Sequence, residues 1–181
     1  MISQPKTDMF DQEAAVAVVL YVASNVKDPS LHRIFKILYF ADRAHLERYG
    51  RFIAGDSYVA MKHGPVPKNI YDMLKAVRGD RPYFMAPELA EELQGYFGIE
   101  GSYVRPRAEP DLDALSDSDL ACLDASIETC GDKTFGELTA LSRDEAWASA
   151  NENGAMSIEQ VASTLSNAGA LLEYLRDPHP G

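Results

Sequence analysis

The sequence predicts a mainly α fold, of α+β type, in which a compact helical domain carries a small β-sheet or hairpin in the middle of the chain. Three observations predict it. Apolar residues recur at steps of three and four over long stretches toward both ends. Helix-start patterns, Ser116 with Asp119, Thr134 with Glu137 and Ser157 with Gln160, open three of the later stretches. Between residues 80 and 110 the text changes to prolines, glycines and aromatics, among them Tyr83, Phe84, Tyr96, Phe97 and Tyr103.

Each element follows in order. After a loose leader, a first helix is expected over residues 9–24, with Asp8 as N-cap. Phe10, Ala14, Ala17, Val18, Tyr21 and Val22 form its apolar stripe. A second helix should open with Asp28 as cap and Pro29 at the first helical position. It buries Leu31, Ile34, Phe35, Leu38, Ala41 and Leu46, and Gly50 closes it, with Arg48 in the last turn suiting the helix dipole. An extended run over 57–62 leads to Gly64-Pro65-Val66-Pro67. Two prolines there fix φ and remove two backbone donors, so this reads as a rigid strand-to-helix corner. A third helix over 67–78 turns Ile70, Met73, Leu74 and Val77 inward and stops at Gly79. A short helix over 87–94 and strands over 96–99 and 102–105 follow, so the small sheet should draw on parts of 57–62 and 82–107. The final helix places Ile158, Val161, Leu165, Ala168, Leu172 and Leu175 on one seam. That is under three heptads, too short for a free coiled coil and suited to core packing. Residues 177–181 read as a frayed tail, and residues 1–181 as one domain.

Composition narrows the function. No run approaches the ~18 apolar residues of a membrane helix. The nearest, residues 14–23, follows Asp8, Asp11 and Glu13, where an export signal needs positive charge, so a cytoplasmic protein without membrane contact is expected. Cys122 and Cys130 stand eight apart in one helix, about 12 Å along its axis and beyond disulfide reach. They read as buried thiols. Residues 1–107 carry fourteen basic and thirteen acidic side chains, while residues 108–181 carry three and fifteen. The acidic helical part, 108–176, therefore holds nearly all of the net charge of −11. Such a field opposes nucleic acid and favours a basic partner, or simply solubility. The segment 31–81 is locally basic, with ten cations and five carboxylates.

No catalytic constellation emerges. The chain has no G-x-S-x-G elbow, no H-E-x-x-H and no P-loop. Asp42 and His45, three apart on the second helix, could share a ligand with His63, but no set has the count or spacing of a closed metal site. We expect no metal and no cofactor. A polar strip is more informative. His32, Lys36, Tyr39 and Arg43 recur at steps of four, three and four, so they share one helix face. That strip is either a solvated side or a hydrogen-bonding surface that receives a partner or fixes the Gly-Pro loop. Helix two and the 64–67 corner should lie side by side. Tyr39, His63 and the proline rings would then form a patch rimmed by Lys36, Asp42 and Arg43. On this reading Lys36→Glu and Arg43→Glu alter exposed charge at little cost in stability.

Several blocks in order resemble a known family. They are Lys36-Ile-Leu-Tyr-Phe-Ala-Asp42, His45-Leu-Glu-Arg-Tyr-Gly-Arg51, Gly55-Asp-Ser-Tyr-Val-Ala60, His63-Gly-Pro-Val-Pro67 and Ile70-Tyr71. Together they resemble the Panacea domain of SocA-like antitoxins, a family also called phage-associated proteins. The resemblance is best over 12–78 and continues more loosely through 103–107, Leu115-Ser116 and Ala146-Trp147. Family members often carry a Ser/Thr-His step before that tryptophan, where this chain reads Leu141-Ser142-Arg143-Asp144, so no role for that histidine carries over. His63 stands where an aromatic often precedes Gly-Pro. The resemblance implies a non-enzymatic antitoxin of a bacterial or phage toxin–antitoxin pair. Its partner would be a cognate toxin protein, masked directly or delivered to a Clp-type AAA+ protease. Candidate motif or partner residues are Lys36, Tyr39, Asp42, Arg43, His63, Gly64, Pro65, Val66, Pro67, Tyr71 and Trp147. The alternatives are a nucleic-acid-binding regulator using the basic 31–81 segment and, behind it, an enzyme using Asp42, His45 and His63.

Overall fold

The computed structural model describes residues 10–178. Its elements run α1 (Gln12–Asn25), α2 (Leu31–Tyr49), β1 (Tyr58–Met61), β2 (Gly64–Pro67), α3 (Lys68–Arg78), α4 (Pro87–Tyr96), β3 (Phe97–Glu100) and β4 (Tyr103–Pro106). A 3-10 turn (Leu112–Ala114) follows, then α5 (Asp117–Cys130), α6 (Phe135–Ser142), α7 (Glu145–Ala148), β5 (Ala155–Met156), α8 (Ile158–Ala162) and α9 (Ala168–Arg176). The fold is mainly α with small β elements, as the sequence predicts. No described helix is long and apolar enough to cross a membrane.

Helix α1 is capped by Asp11, whose Oδ1 accepts from the Ala14 N–H at 3.0 Å. The expected cap Asp8 and first residue Met9 lie outside the described residues. The helix is buried without a break from Ala14 to Leu20, which makes it a core helix rather than a striped surface one. Helix α2 starts later than the Asp28-Pro29 pattern suggests, because Ser30 is the N-cap. The residues before it are held extended against the β3–β4 hairpin. Val104 N–H donates to the Pro29 carbonyl at 2.9 Å, and Leu31 N–H to the Ser102 carbonyl at 2.8 Å. At the other end Gly50 is left-handed, with φ 77°, and returns its N–H to the Leu46 carbonyl. A Cβ there would sit 2.6 Å from Tyr174 Cε1, so the ring from α9 packs directly on the cap.

Residues 64–67 are a strand, not only a corner. β2 pairs antiparallel with β1, from Tyr58 opposite Pro67 to Met61 opposite Gly64. Two residues without N–H confine β2 to an edge, and the order is β2-β1-β5. β5 fills the other side of β1 through Tyr58 and Met156, a pairing no local signal announces. The β3–β4 hairpin forms a second sheet of its own, so the single sheet expected from 57–62 and 82–107 does not exist. Both edges of β1 are taken, and the hairpin is anchored to the start of α2 instead. Helix α3 begins at Lys68, one residue after the expected Pro67, which has no capping side chain. Asp56 supplies the cap from a distance, accepting from Asn69 N–H and Ile70 N–H, each at 2.9 Å.

The expected final helix is two helices. Ser163 and Thr164 hydroxyls donate back to the Gln160 and Val161 carbonyls, and Asn167 reaches the Glu47 carbonyl at 2.8 Å. This turn is thereby fastened to α2, which ends the seam at Leu165. Val161, Leu165 and Leu171 are buried, whereas Ile158, Leu172 and Leu175 are only partly so. Helix α2 divides the core. Ile34, Ile37, Leu38 and Ala41 join a large cluster with α1, α3 and α5, while Tyr39 and Leu46 join a smaller one with Tyr58, Met156 and Val161. Cys122 and Cys130 are free thiols buried in the large cluster. Leu123 is fully buried there, so Leu123→Ala should cost about 2–5 kcal/mol in chemical denaturation. Exposed Leu112→Ala should stay within about 0.5 kcal/mol.

Candidate partner-binding cleft

The polar strip of α2 points inward. Lys36 is 1% exposed and Tyr39 is 0%, so neither is a surface group, and the expected surface patch of Tyr39 and proline rings does not form. Pro65 and Pro67 are buried as well. Lys36 Nζ donates to the Pro65 carbonyl at 2.8 Å, which fixes the Gly-Pro strand against the helix. Gly64 permits this approach. Its φ of 111° is left-handed, and a Cβ would lie 2.9 Å from Lys36 Cε and closer still to Ser142 Oγ. Burial lowers the Lys36 pKa from its ordinary 10.5 to about 7. No carboxylate among the described residues forms an ion pair with it.

One turn further on, Tyr39 OH donates to Asp144 Oδ2 at 2.8 Å, and Arg43 Nη1 donates to the same oxygen at 2.9 Å. Arg43 also reaches Thr164 Oγ1 at 3.1 Å. Burial and the Asp144 charge push the Tyr39 phenol far above its ordinary value, so it stays the donor. The other oxygen of Asp144 caps α7 through the Trp147 N–H. The indole Nε1–H then donates to the Met61 carbonyl at 2.8 Å, and Arg143 lies over the ring at 4.3 Å. Trp147 thus ties α7 to the β1–β2 turn.

Asp42, His45 and His63 do not converge. Asp42 accepts from Ile53 N–H at 2.7 Å and Tyr58 OH at 2.6 Å, and burial raises its pKa to about 7 against both bonds. His45 is buried on another side, bonded to the Arg51 carbonyl and Ser118 Oγ, with Asp119 Oδ1 3.0 Å from Nε2. Burial lowers its pKa, outweighing those partners. His63 is exposed. Among the described residues no three metal-ligating side chains come together.

What the structure does build is an open cleft of about 610 Å³ between the first half of α2, the β1–β2 turn, Phe135 of α6 and the hairpin tip at Ser102 and Tyr103. Of the sequence-derived candidates, Lys36, His63, Gly64, Val66 and Tyr71 line it, whereas Tyr39, Asp42, Arg43, Pro65, Pro67 and Trp147 do not. Phe135 stacks on His32 at 3.8 Å and takes the edge of His63 at 5.1 Å. Tyr71 meets Phe35 edge-on at 5.5 Å and carries Lys75 over its face. Burial, then Lys36 and His63, lower the His32 pKa to about 4, so the ring is neutral near pH 7. His32 Nε2 lies 3.0 Å from Thr139 Oγ1, whose hydroxyl also reaches the Phe135 carbonyl.

Sequence reasoning missed Arg33, Phe135, Ser142 and Asp144. Arg33 donates from Nη1 to the carbonyls of Cys130, Gly131 and Lys133, which closes the end of α5. Asp144 was legible only as a helix cap ahead of Ala146-Trp147, since its partners lie about a hundred residues away.

Two predictions follow from Lys36. Lys36→Glu, benign if the site were exposed, sets a carboxylate against a carbonyl and should cost several kcal/mol. Lys36→Met keeps the apolar stem and should fold with stability within about 2 kcal/mol of the parent at pH 7. Between pH 7 and 10 the unfolded chain binds the proton that folded Lys36 releases, so this residue's contribution to stability rises across that window. Denaturation at several pH values should show that rise flattened in Lys36→Met. Gly64→Ala combines left-handed strain with a clash and should cost more than about 2 kcal/mol by the same measurement.

The family model described as antitoxin SocA-like, Panacea domain, matches residues 34–148. Neither a curated protein nor a solved structure matches the chain.

Proposed function

The chain belongs to the SocA-like antitoxin family through its Panacea domain, and from that premise we propose that it neutralises a cognate protein toxin by direct contact over the cleft. The observation that carries this reading is the reach of the match. Residues 34–148 include most of α2, the β1–β2 hairpin and α6, the elements that wall the cleft. The rim has the composition that binding surfaces use, with large groups among exposed charge. Phe135 is 52% exposed and Tyr103 40%, beside exposed Lys62 and His63. Masking of the toxin and its delivery to a Clp-type protease would both begin with this contact. Masking requires one antitoxin per toxin, whereas an adaptor turns over.

The basic 31–81 segment gives little support to nucleic-acid binding. Arg33, Arg43, Arg51, Lys68, Lys75 and Arg78 each pair with a carboxylate, and Lys36 is buried. Phosphate binding needs cations free to neutralise it along a surface.

The rim can be tested without touching the core. Lys62→Glu and Phe135→Ala should keep the melting temperature within a few degrees, as surface changes do. Both should fail to rescue cells expressing the cognate toxin. Full rescue by both variants would place the contact elsewhere, with the acidic 108–176 surface the next to test.

A further inference from the structure

Lys36 presents an imbalance that the fold leaves open. An ammonium has three donors, and here one is used, on the Pro65 carbonyl. A buried charge without a counter-charge is costly, and proteins ordinarily pair it. The neighbouring groups do not supply one. Arg33 is engaged with four carbonyls, that of Asp28 among them, and with the Asp28 carboxylate at 3.3 Å, and Asp28 is the one carboxylate on the cleft lining among the described residues. His32 is bonded to Thr139, while Lys62 and His63 stand at the rim. The cleft is therefore a basic recess in a chain of net charge −11, with Lys62 at its rim and Lys36 inside, about half protonated near pH 7 and held in the charged form by any carboxylate that reaches it. Its walls are apolar, formed by Phe35, Met61, Val66, Tyr71 and Phe135. A recess of this size is typical for a small ligand or a few side chains.

We infer that the cleft receives an acidic side chain of a partner polypeptide, flanked by apolar residues, and that its carboxylate becomes the counter-charge of Lys36. Complementarity of charge selects an anion, and the apolar walls select one carried between hydrophobic groups over a fully hydrated one. The inference rests on the docking reading above for its biological partner, but it concerns one anchor point and can be tested on the isolated protein.

The test follows the Lys36 ε-methylene signal by NMR in the full chain labelled with 13C-lysine, with the signal identified by its loss in Lys36→Met. The probes are the peptide acetyl-Phe-Glu-Phe-amide, its Gln counterpart, free glutarate and inorganic phosphate. The Glu peptide should move the Lys36 signal and bind at least about tenfold more tightly than the Gln peptide, as expected for a charge-assisted contact. In Lys36→Met, checked for an unchanged circular dichroism spectrum, that preference should vanish. The comparison of the two peptides on the parent protein needs no variant and stands even if Lys36→Met is unstable. Equal binding of the two peptides, an unaltered preference in Lys36→Met, or no response of Lys36 to any probe overturns the inference. Glutarate or phosphate binding as tightly as the Glu peptide overturns it in favour of a small-anion site. Loss of rescue in the rim variants without any Glu preference would remove the anchor and leave the docking surface standing. A Glu preference with full rescue by the rim variants would do the reverse.

Discussion

Helix α2 carries Lys36, Tyr39, Asp42, Arg43 and His45 into the interior or its edge, and each buried polar group left without a partner would cost about 1–3 kcal/mol. The partners come from different parts of the chain. Lys36 requires the carbonyl of an edge strand, Tyr39 and Arg43 require the cap of α7, Asp42 requires Tyr58, and His45 requires the start of α5. These demands explain features that packing alone would leave arbitrary. Gly64 has no side chain because Lys36 and Ser142 occupy the space where one would project. Asp144 serves two masters, a helix terminus through Oδ1 and two side chains of α2 through Oδ2.

Tyr39, Asp42, Arg43 and His45 each meet a side chain of the protein, and of the five groups only Lys36 lines the cleft. That contrast separates architecture from recognition. The paired residues make α2 a rigid post with the β1–β2 hairpin fixed to one side and α6 to another. Rigidity of this kind lowers the cost of ordering a surface when a partner arrives. The rim, by contrast, is built from residues whose removal does not unpick the interior, such as Lys62 and Phe135.

Local signals in the sequence were reliable because their physics is local. Ser116, Thr134 and Ser157 cap the helices they precede, and Gly50 and Gly79 end theirs in the left-handed conformation. The spacing of His32, Lys36, Tyr39 and Arg43 placed them on one face, and the structure agrees. Spacing does not state what that face meets, so Lys36 and Tyr39 read equally well as surface or core. The cap that Asp56 gives α3 spans thirteen residues, and the one-sided pairing of β5 with β1 spans nearly a hundred, beyond any window. The last seam had the right period but carried no record of the hydroxyls at Ser163 and Thr164, whose return bonds and anchorage to α2 break it. The cleft shows the same division. Its glycine and histidine were visible as a motif, and the ring of Phe135 that completes it was not.

The bond between Arg43 and Thr164 spans 121 positions, and that between Tyr39 and Asp144 spans 105. Synthesis delivers those positions in order, at about 5–20 residues per second. While α2 is already outside the ribosome, the acceptor for its tyrosine and arginine is seconds from emerging. During that interval the helix shows polar groups and apolar faces with nothing to cover them, the condition in which chaperones and proteases act on a chain. The surroundings of α2 thus close only once Thr164 has emerged, and a message broken before its codon yields a product that lacks the last of these ties.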